Sequence, residues 1–164
     1  MALAHARRAG IPAEWIDPAQ FASRAEFEQA LIDRLEAHRV ALVCLAGFMR
    51  ILTTHFVRHY TGRILNIHPA LLPAFPGGHA VRDALAWGTK VTGVTVHIVD
   101  EEVDHGPIVL QEALAIKPKD TESTLLARLH KVEHRLYPEA VRLMLEGRVQ
   151  VRGRTIVPSA PRRR

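Results

Sequence analysis

Two polar residues near the middle of the chain have types that acyl-transfer chemistry uses. Asn66 and His68 lie in the short segment Arg63–His68, whose other members after Arg63 are apolar, and Pro69 follows it. Side chains two positions apart in a strand project to the same face, so the amide and the imidazole are expected side by side. A carboxamide can donate to an oxyanion and an imidazole can transfer a proton. A structural capping role stays open, because buried polar groups are usually hydrogen-bonded.

A carboxylate completes this set at Asp104. It lies in Val99–Pro107, between two predicted strands, where a Gly-Pro turn can fix its direction. A carboxylate orients a neighbouring imidazole and favours its protonated form. At the carboxyl ends of strands in open α/β sheets, such groups meet where ligands bind. The sequence therefore predicts a catalytic site for acyl transfer formed by Asn66, His68 and Asp104.

Other chemistries find less support among the residue patterns. The chain has ten histidines and one cysteine, but no Cys-x-x-Cys pair. His55 and His59 have helical spacing without an acid or cysteine beside them, so no metal site is predicted. Ser23 and Ser123 lie outside any Gly-x-Ser-x-Gly turn, which argues against a serine nucleophile. His97 alternates with apolar residues and is interpreted as a packed core histidine.

Composition is typical of one soluble globular domain of 164 residues, 48% hydrophobic and 24% charged. No apolar run approaches the roughly 20 residues of a membrane-spanning helix. The single cysteine, Cys44, fits a reducing compartment, so a cytoplasmic protein with no membrane partner is expected.

The net charge of +5 is concentrated at the C-terminus. Arg148–Arg164 contains arginines and prolines and no acidic residue. A basic tail can bind nucleic acid, but termini often lack order and no aromatic residues are interleaved here. We therefore expect a domain over residues 1–149, a basic disordered tail over residues 150–164 and no nucleic-acid partner.

Helices and strands alternate along the chain in a way that predicts the α/β class. Ser23-Arg-Ala-Glu26 is a capping box that predicts the start of a helix. The apolar run Val40–Ala46 is typical of a parallel strand buried on both faces. Further strands are predicted over residues 63–68, 94–98 and 108–116, and a long helix over residues 121–146. The expected architecture is an open, mostly parallel sheet with helices on both faces.

Five motifs follow one another along the chain: Leu45-Ala-Gly-Phe-Met-Arg-Ile-Leu52, Leu65-Asn-Ile-His-Pro-Ala-Leu-Leu-Pro73, Phe75-Pro-Gly-Gly-His79, Val103-Asp-His-Gly-Pro-Ile108 and Val132-Glu-His-Arg-Leu-Tyr-Pro138. Together they resemble the phosphoribosylglycinamide formyltransferase family of purine biosynthesis, from about Ala2 to Val149. Asn-x-His with Asp alone is shared with methionyl-tRNA formyltransferase and formyltetrahydrofolate deformylase. Pro69, the Phe75–His79 stretch and the Glu133-His134 pair favour the glycinamide family.

The resemblance implies small-molecule substrates and no metal. The formyl group of 10-formyltetrahydrofolate would pass to the amine of 5'-phosphoribosylglycinamide, with Asn66, His68 and Asp104 as the catalytic trio. The folate contacts implied are Arg24, Met49, Arg50, Ile51, Leu52, Asn66, Asp100, Glu101, Glu102, Val103 and Asp104. The positions that would approach the ribonucleotide are His130, Lys131, Val132 and Glu133. Without the resemblance, the acidic residues before Val103 are typical of a solvated loop.

One departure from the family pattern concerns the N-terminus. The family begins with a strand, a Gly-rich phosphate loop, a helix and a second strand, which need roughly 30 to 40 residues absent before Met1. An N-terminally truncated chain is therefore expected, with Val40–Ala46 at or near a sheet edge, folate affinity retained and weak ribonucleotide binding. A folate-binding fragment without turnover, a subunit completed by another chain and a formyltetrahydrofolate hydrolase remain alternatives.

Overall fold

Residues 2–159 are described in the computed structural model, and the chain divides after Val40 into two units. The N-terminal unit holds α1 (Ala2–Arg8), a 3₁₀ turn (Pro18–Gln20) and α2 (Arg24–Ala37). At the start of α2 the Ser23 hydroxyl accepts from the Glu26 N–H at 3.2 Å. The Glu26 carboxylate in turn accepts from the Ala22 N–H at 3.2 Å. These paired contacts satisfy free N–H groups, and they confirm the predicted start of this helix.

The second unit contains a four-stranded sheet, three helices and a C-terminal hairpin. Its elements are β1 (Val43–Leu45), α3 (Thr54–His59), β2 (Ile64–His68), α4 (Ala80–Trp87), β3 (Val91–Ile98), β4 (Ile108–Ala115), α5 (Glu122–Leu145), β5 (Val149–Arg152) and β6 (Thr155–Pro158). The sheet order is β1-β2-β3-β4. Only the β1/β2 pairing is parallel; β2/β3 and β3/β4 are antiparallel. The α/β class is confirmed, and the sheet over the described strands is mixed.

β1 is shorter and more exposed than the sequence predicted. It covers Val43–Leu45 rather than Val40–Ala46, and Cys44 is exposed although Val43 is buried. Within residues 2–159 β1 pairs only with β2, which confirms the expected edge position. Burial on both faces is therefore wrong for this strand, because Val43 and Cys44 project to opposite faces and solvent reaches the face of Cys44.

The core lies between one face of the sheet and α5. Leu125, Leu129, Val132, Leu136 and Ala140 recur at spacings of three and four residues and are buried. They form one apolar stripe along the helix, since such spacing repeats each turn. The strand residues packed in the same cluster are Leu65, Val94, Val96, Ile98 and Val109. Strand residues of the opposite parity therefore project away from this core.

The segment expected to be a disordered tail forms an antiparallel hairpin as far as Pro158. β5 pairs with β6 from Val149↔Pro158 to Arg152↔Thr155. Gly153, with φ 59°, opens the two-residue turn, a conformation that glycine adopts without strain. Ile156 packs against the core cluster, which gives the hairpin an apolar anchor that its basic composition concealed. Residues 160–164 of the expected tail lie outside the described residues. Among residues 2–159, no helix combines the length and apolar run needed to cross a bilayer.

Candidate active site

Polar side chains from two neighbouring strands share the sheet face opposite the α5 core. In the antiparallel β2/β3 pairing Asn66 lies opposite His97, and His68 lies opposite Thr95. Residues directly opposite one another project to the same face, so the four side chains form one polar group. His68, Thr95 and His97 are buried, with at most 4% of each exposed. The strand register, more than any local loop, therefore positions this cluster.

His68 is held between two acceptors. Its Nδ1 lies 3.3 Å from Oδ2 of Asp104, and its Nε2 lies 2.8 Å from the carbonyl oxygen of Phe75. A carbonyl and a carboxylate can only accept, so donation to both requires a hydrogen on each ring nitrogen. The imidazolium is the form of His68 that satisfies both neighbours, and it is a proton donor.

The carboxylate of Asp104 collects several donors. Oδ2 accepts from the Gly77 N–H at 2.7 Å, while Oδ1 lies 3.4 Å from Nδ2 of Asn66 and 3.5 Å from Nε2 of His97. Hydrogen bonding to His97, then the Gly77 amide and the charge of His68, lowers the pKa of Asp104 to about 2 against the opposing effect of burial. Asp104 is therefore ionised throughout the neutral range.

Unusual backbone conformations hold both acceptors of His68. Asp104 has φ 52° and Phe75 has φ 54°, left-handed values that cost a non-glycine residue about 1–2 kcal/mol. Such conformations persist where surrounding contacts over-determine them, commonly at functional sites. Close approach also constrains the loop of Asp104, because a Cβ on Gly106 would lie 1.8 Å from the Ile98 carbonyl oxygen. Only glycine fits there.

A buried hydroxyl fixes the loop that leads to Phe75. Thr95 Oγ1 donates to the Ala70 carbonyl at 2.6 Å and accepts from the Leu72 N–H at 3.1 Å. Gln111 donates from Nε2 to the Leu72 carbonyl at 3.0 Å and lies 2.9 Å from Thr95 Oγ1. These contacts satisfy polar groups of a turn that would otherwise be costly to bury. The loop thereby places the Phe75 carbonyl against His68.

Tyr137 ties α5 to the first two strands. Its hydroxyl lies 2.8 Å from the Leu45 carbonyl oxygen and 2.9 Å from that of Leu65. Burial, with smaller effects from nearby Cys44, raises the pKa of this hydroxyl, so it remains a donor. Leu65 directly precedes Asn66 in β2, and Leu45 of β1 lies opposite Asn66 in the parallel pairing. The helix therefore supports the strand beside the site.

The predicted convergence of Asn66, His68 and Asp104 is confirmed by these distances. Sequence reasoning missed His97 as a member of the group and interpreted it only as core packing. It is buried, but its Nε2 also lies 3.2 Å from Nδ2 of Asn66. The alternation of Thr95 and His97 with apolar neighbours was the available sign of a polar strand face.

The predicted folate residues occupy exposed or half-exposed positions. Arg24 is the first residue of α2 in the N-terminal unit. Met49, Ile51 and Val103 are exposed apolar side chains, and a Cβ on Gly78 would lie 3.6 Å from Cε of Met49. This contact brings the segment after β1 beside the Gly77-Gly78 turn that binds Asp104. Four of the predicted folate residues, Met49 to Leu52, lie in the segment after β1. The loop between β3 and β4 carries Asp100, Glu101, Glu102 and Val103.

The predicted ribonucleotide residues lie on α5. His130 Nε2 is 3.8 Å from a carboxylate oxygen of Glu133, and the His130 and His134 rings stack with centroids 6.4 Å apart. Lys131 is exposed. Val132 is part of the buried core cluster, so its side chain packs against the sheet and does not face solvent. The substrate role of these positions stays a prediction.

Across residues 2–159, no group of three or more His, Cys, Asp or Glu side chains is arranged to hold a metal ion. The donors at the site are instead a carboxamide, imidazoles and backbone N–H groups around one carboxylate. This set can stabilise an oxyanion and move a proton, the two requirements of acyl transfer.

Comparison with known proteins assigns the chain to a class of enzymes. The family model described as formyl transferase matches residues 1–141. The chain therefore belongs to the formyl transferase family. It is also similar to the phosphoribosylglycinamide formyltransferase of Bacillus subtilis, with 47% identity over 135 residues that cover 82% of this chain and 69% of that protein.

Two further similarities define the relationship. The trifunctional purine biosynthetic protein adenosine-3 of Gallus gallus is 52% identical over 149 residues. That match covers 91% of this chain, which spans only 15% of the length of the Gallus protein. The crystal structure of glycinamide ribonucleotide transformylase 1 from Symbiobacterium toebii has a TM-score of 0.93 and 51% identity, covering 95% of this chain and 74% of that one. The family resemblance inferred from the motifs is thus confirmed.

Proposed function

We propose that this chain transfers the formyl group of 10-formyltetrahydrofolate to the amine of 5'-phosphoribosylglycinamide, a step of purine biosynthesis. The observation that carries the proposal is the contact of His68 with Asp104, 3.3 Å between Nδ1 and Oδ2, beside Asn66 in a formyl transferase family chain. The chain is similar to phosphoribosylglycinamide formyltransferases, and the name of that enzyme identifies phosphoribosylglycinamide as the acceptor of the formyl group. The substrates are small molecules.

The bond changes follow from the groups present. The amine nitrogen attacks the formyl carbon, a C–N bond forms and the carbonyl electron pair moves to oxygen. The Asn66 amide donates to that oxyanion, and the His68 imidazolium does so when the oxyanion replaces the Phe75 carbonyl as the acceptor of its Nε2–H. The carbonyl then re-forms, the bond from the formyl carbon to folate N10 breaks, and N10 receives a proton as the attacking nitrogen loses one. His68 carries the proton between the two nitrogens.

Asp104 acts as a fixed negative charge in this scheme. Because the pKa of Asp104 is about 2, it stays ionised while the histidine gains and loses its proton. An ionised carboxylate orients the imidazole and stabilises its protonated form. The burial of His68 strengthens these interactions by keeping bulk water away.

The two substrates would approach from different segments. The exposed apolar side chains Met49, Ile51 and Val103 offer a surface for a flat heteroaromatic ring, and polar groups of the same segments supply hydrogen bonds. On α5, the Glu133 carboxylate fits a role in binding the amino group of the ribonucleotide. Assignment of the folate and ribonucleotide contacts is part of the proposal.

The test incubates purified protein with 10-formyltetrahydrofolate, with and without the ribonucleotide amine, and measures tetrahydrofolate, formate and formylated product. Formylated product formed in step with tetrahydrofolate supports formyl transfer. Formate released equally without the amine would favour the hydrolase. A folate analogue that binds in a calorimeter without any turnover would favour the folate-binding alternative, and separate titration with the ribonucleotide would then report which half of the site is functional.

A further inference from the structure

The C-terminal hairpin reaches the loop that carries Asp104. Arg154 occupies the tip of the hairpin, between Arg152 and Thr155, which pair at the ends of β5 and β6. Its Nη2 donates to the His105 carbonyl at 2.6 Å, and its Nη1 lies 2.6 Å from Nε2 of the same histidine. One guanidinium thus holds both the backbone and the side chain of the residue that follows Asp104.

His105 also contacts the first residue of the loop, Asp100. Its Nδ1 lies 2.8 Å from Oδ2 of Asp100. Nη1 of Arg154 also lies 3.2 Å from this Nδ1, so the guanidinium contacts both ring nitrogens of His105, and Nδ1 is the one that also contacts Asp100. Asp100 also accepts from the Glu102 N–H at 3.1 Å. Arg154 therefore ends a chain of hydrogen bonds that spans both ends of the segment Asp100–His105.

This segment needs such support. Asp104 has left-handed φ, and its carboxylate must face His68 and His97 at the same time. The loop after Asp104 returns through Gly106, where close approach to Ile98 leaves no room for a side chain. Among the described residues, Arg58 contacts Glu101 at 2.8 Å near the start of this loop, and Arg154 contacts His105 directly after Asp104. The hairpin that carries Arg154 is closed at its base by the Ser159 N–H, which donates to the Arg148 carbonyl at 2.8 Å, and it is anchored to the core cluster by Ile156.

We propose that Arg154 is a positioning residue that, through His105, holds the Asp100–His105 loop so that the carboxylate of Asp104 stays on His68. The effect on catalysis rests on the proposed function, but the effect on the Asp104–His68 contact does not. Arg154 contacts no reacting group in this scheme. Without the Arg154 side chain, the Asp100–His105 loop spends less time in the conformation in which the Asp104 carboxylate faces the His68 imidazole.

The test compares Arg154→Ala with Arg152→Ala, which removes the same charge from a neighbouring exposed position of the hairpin. The primary readout is the ¹⁵N spectrum of the imidazoles without substrate, with His68 assigned by its loss in His68→Ala. We expect Arg154→Ala to shift the His68 nitrogen signals and Arg152→Ala to leave them unchanged. His68 signals unchanged in Arg154→Ala, or shifted equally in both variants, would overturn the proposal.

A second variant removes the contact from the other side and leaves the hairpin intact. His105→Ala should shift the His68 signals as Arg154→Ala does, and the double variant should add nothing further. If Arg154→Ala does not fold, His105→Ala alone tests the proposal. Unchanged His68 signals in folded His105→Ala would then overturn it. In the formyl-transfer assay we expect kcat to fall about 10-fold because the carboxylate is misplaced, and the KM for the folate to rise as well, because the same loop carries proposed folate contacts. Absence of turnover in the parent protein would contradict the proposed function and leave the spectroscopic result intact.

Discussion

The two regions around Asp104 differ in burial and polarity: the β2/β3 face is buried and polar, whereas the segment after β1 is exposed and apolar. On the β2/β3 face, His68, Thr95 and His97 are almost inaccessible, and their polar atoms have partners inside the protein. The segment after β1 leaves Met49 79% exposed and Ile51 61% exposed. A buried polar group tolerates no loss of partner, whereas an exposed apolar side chain loses little when it is truncated. The difference predicts that substitutions will separate into those that damage chemistry and stability and those that affect binding alone.

The largest effect is expected at the centre of the buried face. His68→Ala removes the proposed proton donor, and formyl transfer should fall by a factor on the order of 100 or more, the scale for losing a general acid. Steady-state assay with both substrates measures it. His55→Ala, an exposed histidine on α3, is the matched control and should retain the parent rate. A His68→Ala protein within a few-fold of the parent would remove His68 from the mechanism.

Stability should respond most strongly at the hydroxyl that supports the Phe75 loop. Thr95→Val keeps the side-chain volume but leaves the Ala70 carbonyl and the Leu72 N–H without their partner. We expect the free energy of unfolding to fall about 2 kcal/mol more than in Thr95→Ser, which keeps the hydroxyl. Urea denaturation of both variants measures this difference. Equal losses would mean that packing of the methyl, and not the buried hydrogen bonds, dominates at this position.

The sequence was informative where local rules act. The cap at Ser23 and the two-residue spacing of Asn66 and His68 are local features, and the structure bears them out. The partnership of Asn66 with His97 spans 31 residues and depends on the β2/β3 register, which packing of the opposite sheet face decides.

The hairpin escaped prediction for a related reason. Its basic composition resembles a solvated tail, and only Ile156 marks its contact with the core. No local pattern indicates that Arg154 meets His105, 49 residues away in the chain. Long-range polar contacts of this kind depend on how finished elements pack, so composition and periodicity do not report them.

The charge of Asp104 makes the buried face sensitive to acid. Its pKa is about 2 in the folded protein and 3.8 ordinarily, so the unfolded chain binds the proton more readily. The ionised carboxylate therefore contributes about 2 kcal/mol of stability above pH 4–5, which is lost as pH falls through 3.8 toward 2. The stability gap between the parent and Asp104→Asn should narrow over that window in urea denaturation. Asp83→Asn, at a side chain that is 47% exposed, is the control. A gap independent of pH would contradict the assignment.

The smallest change in stability is expected in the exposed segment after β1. This prediction tests whether that segment differs from the buried β2/β3 face as the comparison requires. Met49→Ala and Ile51→Ala remove side chains that are mostly in solvent, so the free energy of unfolding should change by less than about 0.5 kcal/mol. If these side chains cover a bound folate, affinity for a folate analogue should fall several-fold, because a bound ring would bury the apolar surface that the free protein exposes. Trp87→Ala is the matched control: Trp87 is 81% exposed at the end of α4 and should alter neither quantity. Calorimetric titration beside urea denaturation separates the two effects. A Met49→Ala protein that loses as much stability as Thr95→Val would show that the segment after β1 supports the fold, and the division between a buried reacting face and an exposed binding surface would fail.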